Sequence, residues 1–383
     1  MKTLNIGLIG HQFMGKAHSN AWLKVAKFFT LKAQPVMKMV CGIGADVPAF
    51  ARKWGWQENT QNYKELIRRD DIDIVDICTP NRMHAEMAIA AAKQGKHLLC
   101  EKPLAMNAKQ AEAMVEAVKK AKVVNAVSYC YRRVPAVALM KQMINEGKLG
   151  RVYHVRAVYL QDWIMDPSFP RVWRLVKAVA GSGSHGDLNA HIIDMARDLV
   201  GEISEVVGCT ETFIKKRPLE VVGAGTGLKD KKGSTKMGVV DVDDATLFIA
   251  KFANGAVGTF EATRFAGGNK NGLSIEINGS KGSFKFSLED MNELWYANLE
   301  EESREQGFKR ILVTEGVHPY ISAWWPGGHI IGYEHTFINF VSDLVNGVAS
   351  GKQVMPDFAD ALKTQKVLDA VIKSAHERSW IKI

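Results

Sequence analysis

A carboxylate, an amine and a proline stand together at Glu101-Lys102-Pro103, directly after the apolar Leu98-Leu99-Cys100. An apolar run of this kind reads as a buried strand, and ligands in open α/β sheets bind at the strand ends. A lysine there serves as an acid, a base or a fixed positive charge, depending on how far burial lowers its pKa. Farther along, Asp187 and His191 stand four residues apart in the run from Gly181 to Gly201. That spacing places them on one face of a helix. A carboxylate within reach of an imidazole fixes its tautomer and raises its basicity, which suits a general base near neutral pH. Taken alone, the pair has a plainer alternative, with Asp187 complementing the helix dipole and His191 a satisfied core histidine. A metal set of His185, Asp187 and His191 lacks a further strong ligand nearby, so no metal is expected.

Elements that would carry these groups are legible around them. Leu4 to Ile9 is apolar and ends in Gly10-His11-Gln12-Phe13-Met14-Gly15, where a helical stretch begins. Strand, glycine turn and helix form the first unit of a dinucleotide-binding fold, with backbone N–H groups and the helix N-terminus facing a pyrophosphate. Gln12 stands where the fingerprint has its middle glycine, so the turn is a degraded copy. Val36 to Cys41 reads as a second strand, followed by Gly42-Ile43-Gly44-Ala45 and then Asp46 as the expected helix N-cap. That strand end carries neither the usual acid for the ribose nor an arginine for a 2′-phosphate, so it does not separate NAD from NADP. Ile72 to Cys78, His97 to Cys100 and Val123 to Ser128 are further strands, with helices from His84 and Asn107 between them. This alternation predicts a parallel sheet with right-handed crossovers over residues 1–132.

Past Arg132-Arg133 the rhythm changes. A helix is expected over Pro135 to Glu146 and a long strand over Arg151 to Leu160. Leu273, Ile275 and Ile277 alternate with polar residues, and Phe284 and Phe286 continue the pattern beyond Gly279-Ser280-Lys281-Gly282, which predicts an antiparallel hairpin. Ala245 to Phe252 reads as a strand covered on both faces, one of them by a second subunit. Residues 133–383 are therefore expected to form an α+β domain with a large, mostly antiparallel open sheet, ending in helices over Tyr333–Asn346 and Asp357–Ala375.

The composition sets bounds. A chain of 383 residues predicts about two domains. No apolar run approaches the ~20 residues of a membrane span, no cleavable leader is evident, and the expected location is the cytoplasm. The five cysteines are odd in number and form no C-x-x-C, which fits reduced thiols. The net charge of +9 suits an anionic cofactor as well as a nucleic acid. Its densest groups, Lys215-Lys216-Arg217 and Lys229 to Lys232, read as a solvated loop, and no nucleic-acid motif accompanies them.

In order and spacing, Gly10 to Gly15, Thr79-Pro80-Asn81 with His84, Glu101-Lys102-Pro103 and Asp187-x-x-x-His191 resemble the Gfo/Idh/MocA family (glucose-fructose oxidoreductase / inositol dehydrogenase / rhizopine catabolism) over essentially the whole chain. Phe13 to Ser19, Arg132 to Ala136 and Gly332 to Phe337 resemble its branch of levoglucosan dehydrogenase and glucoside 3-dehydrogenases. The resemblance implies a Rossmann domain, then an α+β domain whose open sheet face forms a homo-oligomer interface, in a dimer or tetramer. It implies hydride transfer between nicotinamide and a secondary alcohol of a sugar, glycoside or anhydrosugar, at C3, with NAD as cofactor and NADP left open.

By position, Lys102 would polarise the reacting oxygen, His191 would take the hydroxyl proton, and Asp187 would orient His191 or the substrate. Gly10, Phe13, Met14, Gly42, Thr79, Asn81, His84, Glu101 and Lys102 would line the cofactor. Asn189, between the two catalytic-helix residues, is expected to bond a substrate hydroxyl. A sugar also needs an apolar surface for its C–H faces, and Arg132, Trp163, Arg174 and His335 are placed near it. Rival readings are an inositol dehydrogenase with the same trio, an NAD-retaining glycosidase or lyase working by transient oxidation, and a dinucleotide-binding sensor. The survival of Lys102, Asp187 and His191 together argues against the sensor.

Overall fold

The computed structural model describes residues 2–221 and 233–383. The chain forms two compact units, one of Met1–Arg133 with Gly332–Gln365 and one of Val134–Ile331 with Lys366–Ile383. The boundary expected at residues 132/133 falls where the leading segment of the first unit ends, and Gly332–Gln365 returns to that unit.

The first unit alternates β1 (Lys2–Ile9), α1 (Phe13–Phe28), β2 (Ala33–Cys41), α2 (Val47–Trp54), β3 (Glu58–Thr60), α3 (Tyr63–Arg68), β4 (Ile74–Ile77), α4 (His84–Lys93), β5 (His97–Cys100), α5 (Ala108–Ala121) and β6 (Asn125–Val127). The strands lie in the order β3-β2-β1-β4-β5-β6, every pair parallel. This is the Rossmann arrangement that the alternation predicted. Ile6, Leu8, Ile74, Val75, Leu98 and Leu99 are buried, as strands covered on both faces must be. The helix boundaries follow local chemistry. The Asn107 side chain accepts from the Gln110 N–H and caps α5, and Gly95 takes the left-handed conformation just past α4.

The second unit begins with α6 (Pro135–Asn145), β7 (Val152–Leu160) and α7 (Lys177–Ala180). A π turn over His185–Asn189 then leads into α8 (Ala190–Val200). Next come β8 (Ile203–Glu211), β9 (Lys216–Glu220), β10 (Gly233–Val239), β11 (Ala245–Phe252), β12 (Val257–Thr263), β13 (Gly272–Gly279), β14 (Gly282–Ser287), β15 (Glu293–Asn298) and β16 (Lys309–Leu312). The chain closes with α9 (Tyr333–Ser350), whose residues belong to the first unit, α10 (Phe358–Glu377) and β17 (Ile381–Lys382). Among the described residues the large sheet runs β16-β15-β14-β13-β7-β12-β11-β8-β17, antiparallel except for the pairing of β7 with β12. The expected β13–β14 hairpin is present, with Leu273, Ile275, Ile277, Phe284 and Phe286 buried.

On β11, Phe248, Ala250 and Phe252 are buried while Leu247 and Ile249 are 43% and 47% exposed, so the protomer covers one face of this strand and leaves open the face expected to meet a second subunit. One local expectation changes. Lys216 and Arg217 are not in a solvated loop but in β9. The Arg217 guanidinium is fully buried and donates to the carbonyls of Asp166, Phe169 and Ile164, because three inward-facing carbonyls repay its desolvation. The partner group of basic residues, Lys229 to Lys232, lies outside the described residues.

Candidate active site

The cofactor turn is built by close approach. Gly10 ends β1 with φ +107°, and a Cβ there would stand 2.5 Å from the carbonyl oxygen of Cys78. At Gly15 a Cβ would stand 2.1 Å from the Gly10 carbonyl oxygen. Only glycine fits either place, so the turn keeps its tight form although Gln12 replaces the middle glycine. Phe13 is exposed, α1 has no acid in its first turn, and its start carries no side-chain cap. Its N–H groups and dipole therefore present a positive end suited to a pyrophosphate, and the turn fits a dinucleotide. Gly42 has a further use within the fold. A Cβ on it would meet His11 Nδ1 at 2.2 Å, so this glycine makes room for the buried His11 ring. His11 Nε2 in turn lies 3.1 Å from an oxygen of Asp46. Asp46 occupies the N-cap position of α2 but makes no capping bond, because its carboxylate swings to His11 instead. Its side chain is 55% exposed.

Thr79, Asn81 and His84 follow β4. His84 is fully buried, with Nδ1 3.0 Å from the Pro103 carbonyl and Nε2 2.9 Å from the Thr79 carbonyl. It braces the loop after β4 against the loop after β5, and burial pulls its pKa down. Glu101 is also buried. Its Oε1 lies 2.9 Å from His18 Nε2, and its Oε2 accepts the backbone N–H of Lys102 at 3.1 Å. The ring of His18, on α1, meets Asp76 on β4 through Nδ1, 2.9 Å from both carboxylate oxygens. Trp22 Nε1 donates to the same carboxylate at 2.8 Å. His18, Asp76 and Cys78 are the one group of candidate metal ligands among the described residues. Their polar atoms are already engaged with one another and with Trp22, as a hydrogen-bonded ion cluster would be. Lys102 is half-buried.

In the second unit, Asp243 shapes the turn before α8. Its carboxylate accepts from Gly183 N–H, Ser184 Oγ and His185 N–H, each at 2.7 Å, and from Thr246 Oγ1 at 3.0 Å. Burial alone would raise the pKa of Asp243; the nearby His185 ring and these donors hold it below the ordinary value. A Cβ on Gly183 would stand 1.8 Å from the Asp243 carbonyl oxygen, so glycine is required there. The turn delivers Asp187 and then, across a π turn of a kind often found at functional sites, His191. Asp187 Oδ2 accepts from Arg264 Nη2 at 2.7 Å, and Arg264 also donates to the Gly183 carbonyl. The Arg264 guanidinium is buried and lies 5.2 Å from the Trp163 ring centre. His191 is buried with its ring 5.8 Å from that of Tyr159. A carboxylate and an imidazole thus stand on adjacent turns, a set able to orient a hydroxyl and receive its proton.

The other expected contacts divide. Trp163 is half-buried, its Nε1 donating to Gln161 Oε1 and its ring edge-on to Phe169. Arg174 stacks on Trp173 at 4.5 Å. Asn189 is fully buried, its amide nitrogen 3.0 Å from His185 Nδ1 and 3.4 Å from the Thr246 carbonyl, so the helix turns it inward. In the first unit, Arg132 pairs with Asp360 at 2.6 Å, and His335 Nδ1 accepts the Gly332 N–H at the start of α9. Three residues that organise these groups escaped the sequence: His18, Asp243 and Arg264. Each carried a faint signal, a charged or titratable side chain set in an apolar face or strand end.

Residues 4–129 match the family model for the oxidoreductase family, NAD-binding Rossmann fold, and residues 137–285 match the GFO/IDH/MocA C-terminal domain. Levoglucosan dehydrogenase of Pseudarthrobacter phenanthrenivorans is 44% identical over 386 residues, spanning 100% of this chain and 99% of that protein. An oxidoreductase domain protein from Kribbella flavida superposes with a TM-score of 0.94 at 49% identity, with 100% of both chains covered. Levoglucosan dehydrogenase in complex with NADH and levoglucosan superposes with a TM-score of 0.93 at 42% identity, over 100% of this chain and 99% of the other. With both halves matched in order, and with the glycine turn, Lys102 and the Asp187–His191 turn built as described, the chain belongs to the Gfo/Idh/MocA family of NAD-binding oxidoreductases.

Proposed function

We propose that the protein is an NAD-dependent dehydrogenase that oxidises a secondary alcohol, at C3, of a pyranose glycoside or anhydrosugar of the levoglucosan type. The observation that carries this is the Arg264–Asp187 ion pair one turn before His191, in a chain that matches levoglucosan dehydrogenase end to end. Bound NAD supplies the hydride acceptor. The chain supplies the rest. Asp187, paired with Arg264, anchors a sugar hydroxyl or the His191 ring; His191 takes the proton of the reacting hydroxyl; Lys102 offsets negative charge developing on its oxygen. The hydride leaves carbon as the proton leaves oxygen, so a ketone, NADH and a proton balance the reaction. Gly10 and Gly15, with the uncapped start of α1, support pyrophosphate binding.

The test is to incubate the protein with NAD or NADP and a panel of glucosides, anhydrosugars and inositols, following nicotinamide absorbance and identifying products by NMR. Stoichiometric NADH with a 3-keto sugar is expected. NADH from inositols alone would replace the sugar with a cyclitol. Cleavage of a glycoside without net NADH would replace the dehydrogenase with a lyase that retains its cofactor.

We further place the protein in the cytoplasm: no helix among the described residues is long and apolar enough to cross a membrane, and Cys41, Cys100 and Cys130 are buried free thiols. Oligomerisation is proposed through the exposed Leu247 and Ile249 on β11 with Val257 on β12. Light scattering at micromolar concentration is expected to give a dimer or tetramer, and a Leu247→Glu/Ile249→Glu pair to dissociate it.

A further inference from the structure

His18 belongs to none of the expected sites, yet both nitrogens of its ring are engaged by carboxylates. It lies on the buried face of α1 with Ala21, Trp22 and Val25, on the helix that starts at the cofactor turn. Nδ1 faces both oxygens of Asp76 at 2.9 Å and Nε2 faces Glu101 Oε1 at 2.9 Å. All three side chains are at least nine-tenths buried. An ionised carboxylate only accepts hydrogen bonds, so a ring between two of them needs a proton on each nitrogen.

The surroundings agree with a positive ring. Trp22 Nε1 donates to Asp76, and the Cys78 thiol lies 3.6 Å from the same carboxylate. Ser128 Oγ lies 3.4 Å from Nε2, and Phe337 of α9 covers the ring at 5.4 Å between centres. The remaining titratable groups acting on this cluster are Cys100, Cys130 and Lys102. Burial alone would lower the pKa of His18, but Asp76 and the neighbouring groups carry it well above the ordinary value. Glu101 completes a chain of contacts, because its other oxygen accepts the Lys102 backbone N–H at 3.1 Å.

We propose that His18 is a positioning residue for Lys102: as an imidazolium bonded at once to Asp76 and Glu101, it fixes the carboxylate on which the Lys102 backbone is hung. The assignment rests on the catalytic role given to Lys102 above. It ties the helix behind the pyrophosphate turn to the reacting centre through one charged ring. Without that charge two carboxylates face each other in the core. Glu101 then takes up a proton or turns away, and the Lys102 backbone loses its acceptor.

The protein labelled with isotopic nitrogen in histidine tests the ring directly, with His18→Gln assigning its signals. Chemical shifts of two protonated ring nitrogens, persisting well above the ordinary imidazole pKa, are expected; a neutral ring at neutral pH would overturn the proposal. His18→Gln is expected to lower kcat ~10–100-fold while the Kd for NADH moves less than about threefold. Unchanged kcat, or an equal loss of NADH affinity, would overturn the positioning role. Should His18→Gln fail to fold, Glu101→Gln keeps the question open to measurement: the ring, left with Asp76 alone, is expected to lose its second proton at lower pH than in the native protein. An unmoved titration would overturn the proposal. So would stoichiometric metal in the native protein that is lost in His18→Gln, since His18 would then be a ligand. Full turnover in Lys102→Met would overturn the catalytic reading itself, and the positioning role with it, while the ring signals still report the charge independently.

Discussion

The Glu101-Lys102 segment and the Asp187-His191 turn are held by opposite means. In the first, buried charges balance one another: Asp76, His18 and Glu101 alternate in sign within hydrogen-bond distance. In the second, the Asp243 carboxylate is met by two backbone N–H groups and two hydroxyls, and one guanidinium faces Asp187. The first arrangement sets ionisable groups against one another, whereas the second sets single carboxylates against donors that keep their protons. The lysine proposed to act beside the hydride transfer is tied to a row of charges, whereas the helix start is tied to N–H and O–H dipoles around one carboxylate.

Substitutions separate these two modes. The largest expected effects fall on the reacting groups: Lys102→Met and His191→Ala each lower turnover by ~10²-fold or more in steady-state assays, and near-native turnover in either removes its role. Arg264→Met comes next. It leaves Asp187 without its guanidinium, and kcat/KM is expected to fall ~10–100-fold, with partial recovery in Arg264→Lys. A loss confined to thermal stability would make Arg264 a scaffold residue only. Asp243→Ala strands the donors of the 183–185 turn and is expected to cost about 2–4 kcal/mol in urea unfolding. A cost below about 1 kcal/mol would show the turn to be held by other means.

The charge-held region predicts a pH dependence. The His18 pKa is raised in the fold, so its contribution is complete below about pH 6.5 and fades as pH climbs through the folded value. Glu101 and Asp243 are lowered from 4.5 and 3.8, so their contributions are present above those values and fade as pH falls through the folded ones. Urea midpoints plotted against pH should therefore fall on both sides of neutrality, and the alkaline fall should vanish in His18→Gln. A flat alkaline limb in the native protein contradicts this. The smallest effect concerns the cofactor. The half-exposed carboxylate of Asp46, steered by His11, follows the end of β2, where it would repel a ribose 2′-phosphate, so Asp46→Asn is expected to raise the NADP-to-NAD ratio of kcat/KM by a few-fold, about 1 kcal/mol.

Both sheets, the β13–β14 hairpin and the helix starts at Phe13 and Ala108 were legible because period, glycine and capping chemistry are local. The roles of Gly42, Asp46, Asn189 and Arg217 were not. Each is decided by a contact remote in sequence: the His11 ring, the Thr246 carbonyl, or the carbonyls of Ile164 to Phe169. Asp187 and His191 could be picked out by spacing, but Arg264, which partners one of them, lies 77 residues away.

The return of Gly332–Gln365 to the first unit bears on how the protein is made. Asn339 donates to the Arg133 carbonyl, Arg133 reaches Asp343 and the Met355 carbonyl, and the Val127 N–H bonds the Pro356 carbonyl. These partners are made more than 200 residues after the segment they brace. A nascent chain halted after residue 133 carries all six strands of the nucleotide-binding sheet but not the helix and loop that seal one margin of it. Domains usually mature in order of synthesis; here the unit translated first is finished only after Val134–Ile331 of the other has been made.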